Sequence, residues 1–556
     1  LTGLALQFPD RRPGSDGDRR LAAKVEAEFR RAFCPPEEPS CDNVERRAVS
    51  GRTIDGEVML DTVIATRLGA PGPGIVLVAH RDAAGSSARA ELSGTAALIE
   101  LAQVFAGRST TRTLSLVSTS GGSGGAAGAA DLADDLPEGD REPDAVLVLG
   151  DMASAQATRP WVLPWSDGPQ LAPARLRRTV EAALKLETGE EPGQPRALDQ
   201  LARLAFPFAQ TEQGPLNAAG IPAVTIQASG EQPPDPGAAV SEERLRGFGR
   251  AALRAIDALD NGPTLDERPS AEVVIAGKLL PGWVMRLLVG LLLLPVLVAA
   301  VDGLARVRRR RAPVAVWLRW LAALSAPFAG ALLGARLLGA TGVLGDAPAS
   351  AVPAGLIGVD GASVAIVAVL FVLGVAAVRP LQRLLAARPE DLPVVERDAG
   401  GPAAALTLVM ALLAVAVWAV NPFAAAVLVL PAHLWMLAAV PEVRLSRVAA
   451  VVLVVVALVP GLVVLGLYAD AVGASPAELP WSLLVLVAGG QVGLLALLTL
   501  AALAACAVGA VRLAALPNAG DAPPTTPSVL GPMGHAGPGA LGGTPSGFGD
   551  RVSTRR

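Results

Sequence analysis

The sequence predicts two joined folds. The first is an α/β domain with a mostly parallel or mixed sheet and helices on both faces. The second is an all-α domain of several membrane-spanning helices. Three observations carry this. The mean hydropathy of +0.45 is unevenly spread, with Leu, Val and Ala dominating residues 282–512 and most acidic and polar side chains lying in residues 1–277. Strand-like and helix-like patterns alternate through the first half. Apolar stretches of about 20 residues, the length a span needs, recur through the second. The expected division of the 556 residues is 1–277, 278–512 and 513–556. The last part is rich in Gly, Pro, Ser and Thr without an apolar period, and reads as a disordered cytoplasmic tail.

In the first part, RRLAAKVEAEFRRAF (19–33) has the apolar spacing of an amphipathic helix. DTVIATRL (61–68) and GIVLVAH (74–80) read as strands, the second nearly all apolar and therefore central. SGTAALIELAQVFA (93–106) reads as a helix with Ser93 as its N-cap, and RTLSLVST (112–119) as a strand before a Gly-rich run. DAVLVLGDM (144–152) and IPAVTIQA (221–228) add strands, and residues 242–260 a terminal helix. In such sheets the site lies beyond the carboxyl ends of the strands, where His80 and Asp151 fall.

The second part contains seven candidate spans: 282–301, 314–338, 355–378, 402–420, 423–440, 448–468 and 481–511. The fourth and fifth are joined by a tight turn at Asn421-Pro422. Arginines cluster after the first span (Arg306, Arg308, Arg309, Arg310, Arg311), the third (Arg379, Arg383, Arg388, Arg397), the fifth (Arg444, Arg447) and the seventh (Arg512). The alternate loops, 339–354 and 469–480, carry no Lys or Arg. Because positive loops stay cytoplasmic, a multi-pass protein of the cell membrane is expected, with its N-terminal domain outside and its C-terminus inside. Membrane lipid is then an obligatory partner. Among intramembrane polar residues, Arg286, Arg336 and Asp360 fall near outer helix ends, where Arg336 and Asp360 are placed to pair or to snorkel. His433 lies deeper and is expected to bond between helices, and Gln491 to bond a neighbouring helix backbone.

The net charge of -4 argues against a nucleic-acid partner. Lysine occurs only at positions 24, 185 and 278 against many arginines, the codon bias of a GC-rich, bacterial genome. Cys34 and Cys41 bracket a short loop and form a candidate disulfide for an oxidising compartment, two free thiols being the alternative; Cys506 sits in an apolar helix as packing. The chain starts at Leu1 rather than Met, so an upstream signal or helix is expected to precede it.

The order RRPGSDGDRRLAAKVEAEF, VLVAHRDAAGSS, ELSGTAALIELAQVFA, TLSLVSTSGGSGGAAGAADLA, VLVLGDM, GIPAVTIQA resembles the zinc-dependent exopeptidases of peptidase family M28, aminopeptidase type, over about residues 9–260. The resemblance implies a zinc exopeptidase-like fold and a two-zinc site, with a bridging carboxylate, two further ligands on each metal and a Glu as general base for the bound water. Position by position it makes His80 and Asp151 ligands and Asp82 the residue that orients His80. The bridging Asp falls at Ala90, the paired Glu-Glu at Gly122-Ser123, and the last His near Glu231 or Gln232, before Asp235. Two of five ligands remain, both on one metal, and the general base is missing. Glu91, beside the bridging position, and Glu231 are the candidate substitutes. His80 and Asp82 are expected to form a structural hydrogen-bonded pair. The run SGGSGGAAG lacks the Lys-Ser/Thr of a phosphate loop, and no G-x-S-x-G elbow marks a serine hydrolase.

The leading expectation is therefore a membrane-embedded, exopeptidase-like domain that has lost hydrolysis. It would bind or scaffold a peptide or protein partner in the old cleft, with no cofactor expected and zinc only if the residual site works. Two alternatives stay open. One is an active zinc peptidase with a rearranged site. The other is a transporter or channel with the soluble domain as a lid and a polar path lined by His433, Gln491 or Asn421.

Overall fold

The computed structural model describes residues 1–35, 41–85, 88–136, 142–156, 158–235, 237–275, 277–311, 313–385, 401–440, 443 and 445–515. Arg388, Arg397, Arg444 and almost all of the expected tail lie outside the described residues.

The N-terminal half contains helices α1 (Thr2–Gln7), α2 (Asp16–Phe33), α3 (Ser93–Ala106), α4 (Ala127–Asp135), α5 (Ala174–Thr188), α6 (Ala197–Ala205), α7 (Gln213–Ala218) and α8 (Glu242–Asn261). Its strands are β1 (Val44–Thr53), β2 (Gly56–Arg67), β3 (Ala70–His80), β4 (Arg112–Thr119), β5 (Ala145–Leu149), β6 (Trp161–Leu163) and β7 (Ala223–Gln227). They form one sheet in the order β1-β2-β4-β3-β5-β7-β6. The middle strands β4, β3, β5 and β7 run parallel, while β1, β2 and β6 are antiparallel to their neighbours, so the sheet is mixed.

Alternation along β3 shows how the sheet is covered on both sides. Ile75, Leu77 and Ala79 join a core with Leu21 and Phe29 of α2, Leu98 and Phe105 of α3, and Phe248 of α8. Val76 and Val78 face the opposite way, onto Leu132 of α4 and Leu216 of α7. With period-2 geometry a strand buried on both faces must be apolar throughout, as VLVAH is. Helix α2 starts three residues earlier than its apolar spacing suggests, because the Ser15 hydroxyl accepts the Asp18 N–H (3.2 Å) and Asp16 and Asp18 occupy the first turn. Asp18 then pairs with Arg81 at 2.8 Å, both side chains fully buried. Cys34 and Cys41 are joined by a disulfide. Ser93 is not a cap: its hydroxyl donates to the Ala90 carbonyl and accepts the Met152 N–H (2.8 Å), tying α3 to the end of β5.

A short hairpin, β8 (Val273–Ile275) and β9 (Lys278–Leu280), leads into the apolar half. There the helices are α9 (Gly282–Arg309), α10 (Val314–Ala340), α11 (Gly361–Leu385), α12 (Gly401–Val420), α13 (Pro422–Ala439), α14 (Arg447–Val456), α15 (Val459–Val472), α16 (Leu479–Gly489) and α17 (Leu494–Ala515). Among the described residues seven segments are long and apolar enough to cross a membrane, counting α14 and α15 as one. That span is interrupted at Ala457 and Leu458, where Pro460 lacks the N–H that would bond Val456 and crowds its carbonyl. The expected seventh span, 481–511, divides instead at Gly490, whose φ of +95° ends α16; α17 alone has the length to cross. Small residues bring helices into contact: a Cβ at Gly374 of α11 would lie 2.4 Å from the Pro327 Cα of α10.

Three intramembrane expectations are corrected. Asp360 does not pair with Arg336; it caps α11 by accepting the N–H groups of Ala362 and Ser363 (3.0 Å each) and the Ser363 hydroxyl. Arg336 donates instead to the Ala488 carbonyl at 3.4 Å, at the end of α16. The His433 ring bonds the Val429 carbonyl of its own helix (2.8 Å) rather than another helix, and the Gln491 amide makes no protein hydrogen bond.

The two halves are packed together. Asn421 caps α13 through the N–H groups of Phe423 and Ala424 and donates its amide to the Leu204 carbonyl of α6 (2.7 Å). Ser350, between α10 and α11, donates to Asp167 (2.8 Å), and Gln232 donates to the Asp470 carbonyl (2.7 Å). These contacts use the helix ends whose loops lack Lys and Arg.

Candidate functional site

The parallel strands end side by side, so that His80 of β3 is level with Thr119 of β4 and Asp151 is the second residue after β5. Thr95 of α3 donates to the His80 carbonyl (2.7 Å), fixing the strand end. Asp151 is held by the N–H groups of Ala153 (2.9 Å) and Ser154 (2.8 Å), both on its Oδ1, which leaves Oδ2 without a hydrogen bond within the protein.

Asp82 does not orient His80, as the resemblance implies. Its two oxygens accept the N–H groups of Gly122 (2.9 Å) and Ser123 (3.1 Å) and the Ser123 hydroxyl (2.5 Å). The Gly-rich run is therefore clamped by Asp82 and laid over His80: a Cβ at Gly122 would stand 2.3 Å from the His80 Cβ and Cγ. The residue nearest the imidazole in charge terms is one the sequence did not single out. Glu212, the N-cap of α7 and 1 % exposed, brings Oε2 to 3.4 Å from His80 Nδ1, while its other oxygen takes the Thr119 hydroxyl. The contact lacks hydrogen-bond geometry, and both atoms are otherwise unpartnered.

Glu91 completes the group, with its Oε2 also buried and unpartnered. Together His80, Glu91, Asp151, Glu212 and Asp235 line a cleft of about 260 Å³. Its roof comes from the apolar half: Pro353, Gly355 and Leu356 between α10 and α11, and Ala471, Val472 and Gly473 at the end of α15. Burial alone would strip the imidazole of its proton, but Glu212, with Asp82 and Glu91 behind it, outweighs burial and raises its pKa to about 9. Burial pushes Glu91 up to about 7 against the pull of His80. Burial also raises Asp151, opposed by the hydrogen bonds from Ala153 and Ser154. Four carboxyl groups thus share the cleft lining with one imidazole.

Among the described residues no three His, Cys, Asp or Glu side chains gather closely enough to hold a metal ion. Glu231 is not at the cleft: it pairs with Arg203 (2.9 Å), whose guanidinium lies 3.9 Å from the Phe208 ring centre. Arg203 and Glu231 belong to a neighbouring cleft of about 560 Å³, lined also by Arg159, Arg196, Asp199, Gln232, Val464, Leu467, Tyr468, Asp470 and Ala471.

Solved structures match a little under half of this chain at low identity. The LapA aminopeptidase of Legionella pneumophila matches with 13% identity and a TM-score of 0.38, over 47% of this chain and 69% of its own. A glutaminyl cyclase of Porphyromonas gingivalis matches with 16% identity and a TM-score of 0.37, over 46% and 95%. A zinc aminopeptidase of Bacillus subtilis matches with 11% identity and a TM-score of 0.35, over 48% and 96%. No family profile and no curated protein matches the sequence.

Glu212 was invisible in the sequence because no local pattern ties it to His80. The 131 residues between them are closed by α7 folding against the sheet.

Proposed function

We propose that this chain is a multi-pass membrane protein whose extracytoplasmic, exopeptidase-like domain binds rather than hydrolyses, taking a positively charged group into the cleft around His80. The observation that carries this is Gly122 pressed on His80. The position matching the resembling family's general base has no side chain and no room for one, so no carboxylate is presented there to activate water. The dispersed acids support the same reading, since each keeps a free oxygen without converging on a point. Placement outside the cytoplasm is supported by the arginine-free loops that carry the domain and by the disulfide.

The test uses the full chain purified in detergent. Zinc bound after equilibration, measured by elemental mass spectrometry, is expected to be well below one ion per chain, with no turnover of aminoacyl-coumarin substrates. Turnover that disappears in His80→Ala would overturn the proposal. It would favour the rearranged zinc peptidase, for which the free oxygens of Glu91 and Asp151 speak.

A further inference from the structure

The acidic cleft does not stand alone. Gln232 and Ala471 line both it and the larger cleft, so the two adjoin across the Gln232–Asp470 contact. The larger cleft runs to Val464 and Leu467 of α15, part of a span on which Leu462 and Val463 face outward at 59% and 38% exposure. One end is thus buried and acidic, and the other reaches an apolar helix that belongs to a segment long enough to cross a membrane. We propose that the paired clefts form one elongated site for a membrane lipid whose zwitterionic head carries a primary ammonium group. This rests on the cation-binding reading of the His80 cleft.

The chemistry of each part selects its portion of the ligand. Asp151 Oδ2 and Glu91 Oε2 are buried acceptors without protein donors, and Glu212 Oε2 faces only His80 Nδ1, at 3.4 Å; Glu212 is 1% exposed, Asp151 3% and Glu91 partly so. A primary ammonium supplies three N–H donors, each at about 2.8 Å, so it can bond one or two of these oxygens without the tight convergence that bonds of ~2.1 Å to a metal demand. A trimethylated ammonium has no such donors. In the larger cleft Arg203 is taken up by Glu231, whereas Arg159 and Arg196 have no ion pair among the described residues and are placed for a phosphate. Asp199 and Asp470 in the same wall offset their charge, which favours a zwitterion over a net anion. Val464 and Leu467 meet the beginning of an acyl chain.

The experiment titrates the full chain in maltoside detergent with dihexanoyl-phosphatidylethanolamine, its phosphatidylcholine counterpart and free phosphoethanolamine. The ethanolamine lipid is expected to bind about tenfold or more tightly than the choline lipid and than the free head group. Glu212→Gln and Asp151→Asn are each expected to weaken it about tenfold, the second covering the case that the first misfolds. Val464→Asn should weaken the lipid and leave phosphoethanolamine unchanged. Equal binding of the two lipids would overturn the proposal. If phosphoethanolamine bound as tightly as the lipid and lost affinity in Glu212→Gln, the lipid assignment would fall while the cation cleft stood. Binding of none of the three probes would remove both.

Discussion

At Gly122 a single missing side chain decides what chemistry the cleft can do. Restoring a carboxylate there would not restore a base, because the Cβ itself overlaps His80. Gly122→Glu is expected to gain no peptidase activity and to lose about 1–3 kcal/mol of stability from overpacking, read as a lower midpoint in thermal unfolding. A second residue-scale cost lies beneath the strand ends. Arg81 and Asp18 are both fully buried, and Asp18 also accepts the Ser120 hydroxyl (2.6 Å) and the Gly14 N–H (3.1 Å). Asp18→Ala would strand the guanidinium, with an expected loss of about 3–5 kcal/mol. Some of this was legible in the sequence. His80 and Asp151 were visible because each closes an apolar strand run, which fixes its place at the sheet's carboxyl edge. Glu212 and the Arg81–Asp18 pair were not, since their partners are brought together only by helices packing on the two faces.

Among elements, the loop after β6 and the loop between α10 and α11 form a pH-sensitive joint. Burial pushes Asp167 up to about 6, against the Ser350 hydroxyl, the Ala209 N–H and the charge of Arg203. The folded value exceeds the unfolded one of about 3.9, so the packed form binds more protons between them. This contribution is fully present below about pH 4 and is lost as pH rises through about 6; two units correspond to roughly 3 kcal/mol at most. Thermal midpoints from pH 4 to 8 should fall across that window, and Asp167→Asn should flatten this component. The spans themselves were easy to read, because about 20 apolar residues leave little choice. Their interruptions were harder. Pro460 breaks a helix by removing a hydrogen bond, and Gly490 ends one by a positive φ, whereas hydropathy registers neither. Strand β1, rich in charged residues, escaped notice because it is an edge strand paired only with β2.

At the scale of the molecule, the two halves share a core. Leu163, Trp165, Leu204 and Val273 of the first pack with Met285, Val289, Leu293 and Phe423 of the second in one cluster. Asn421 is the polar stitch at its edge. Asn421→Ala is expected to leave the Leu204 carbonyl without its donor and to cost about 1 kcal/mol, seen as faster hydrogen exchange in α6 and the start of α13. Division into two parts could be read from composition, but their adhesion could not, since the residues responsible are ordinary core types on both sides. Severing the chain between Ile275 and Gly282 would therefore not release a well-behaved water-soluble protein. The freed piece would carry a greasy sole of Trp165, Leu204 and their neighbours, and with the roof over His80 gone it would clump or seek another apolar surface to stand on.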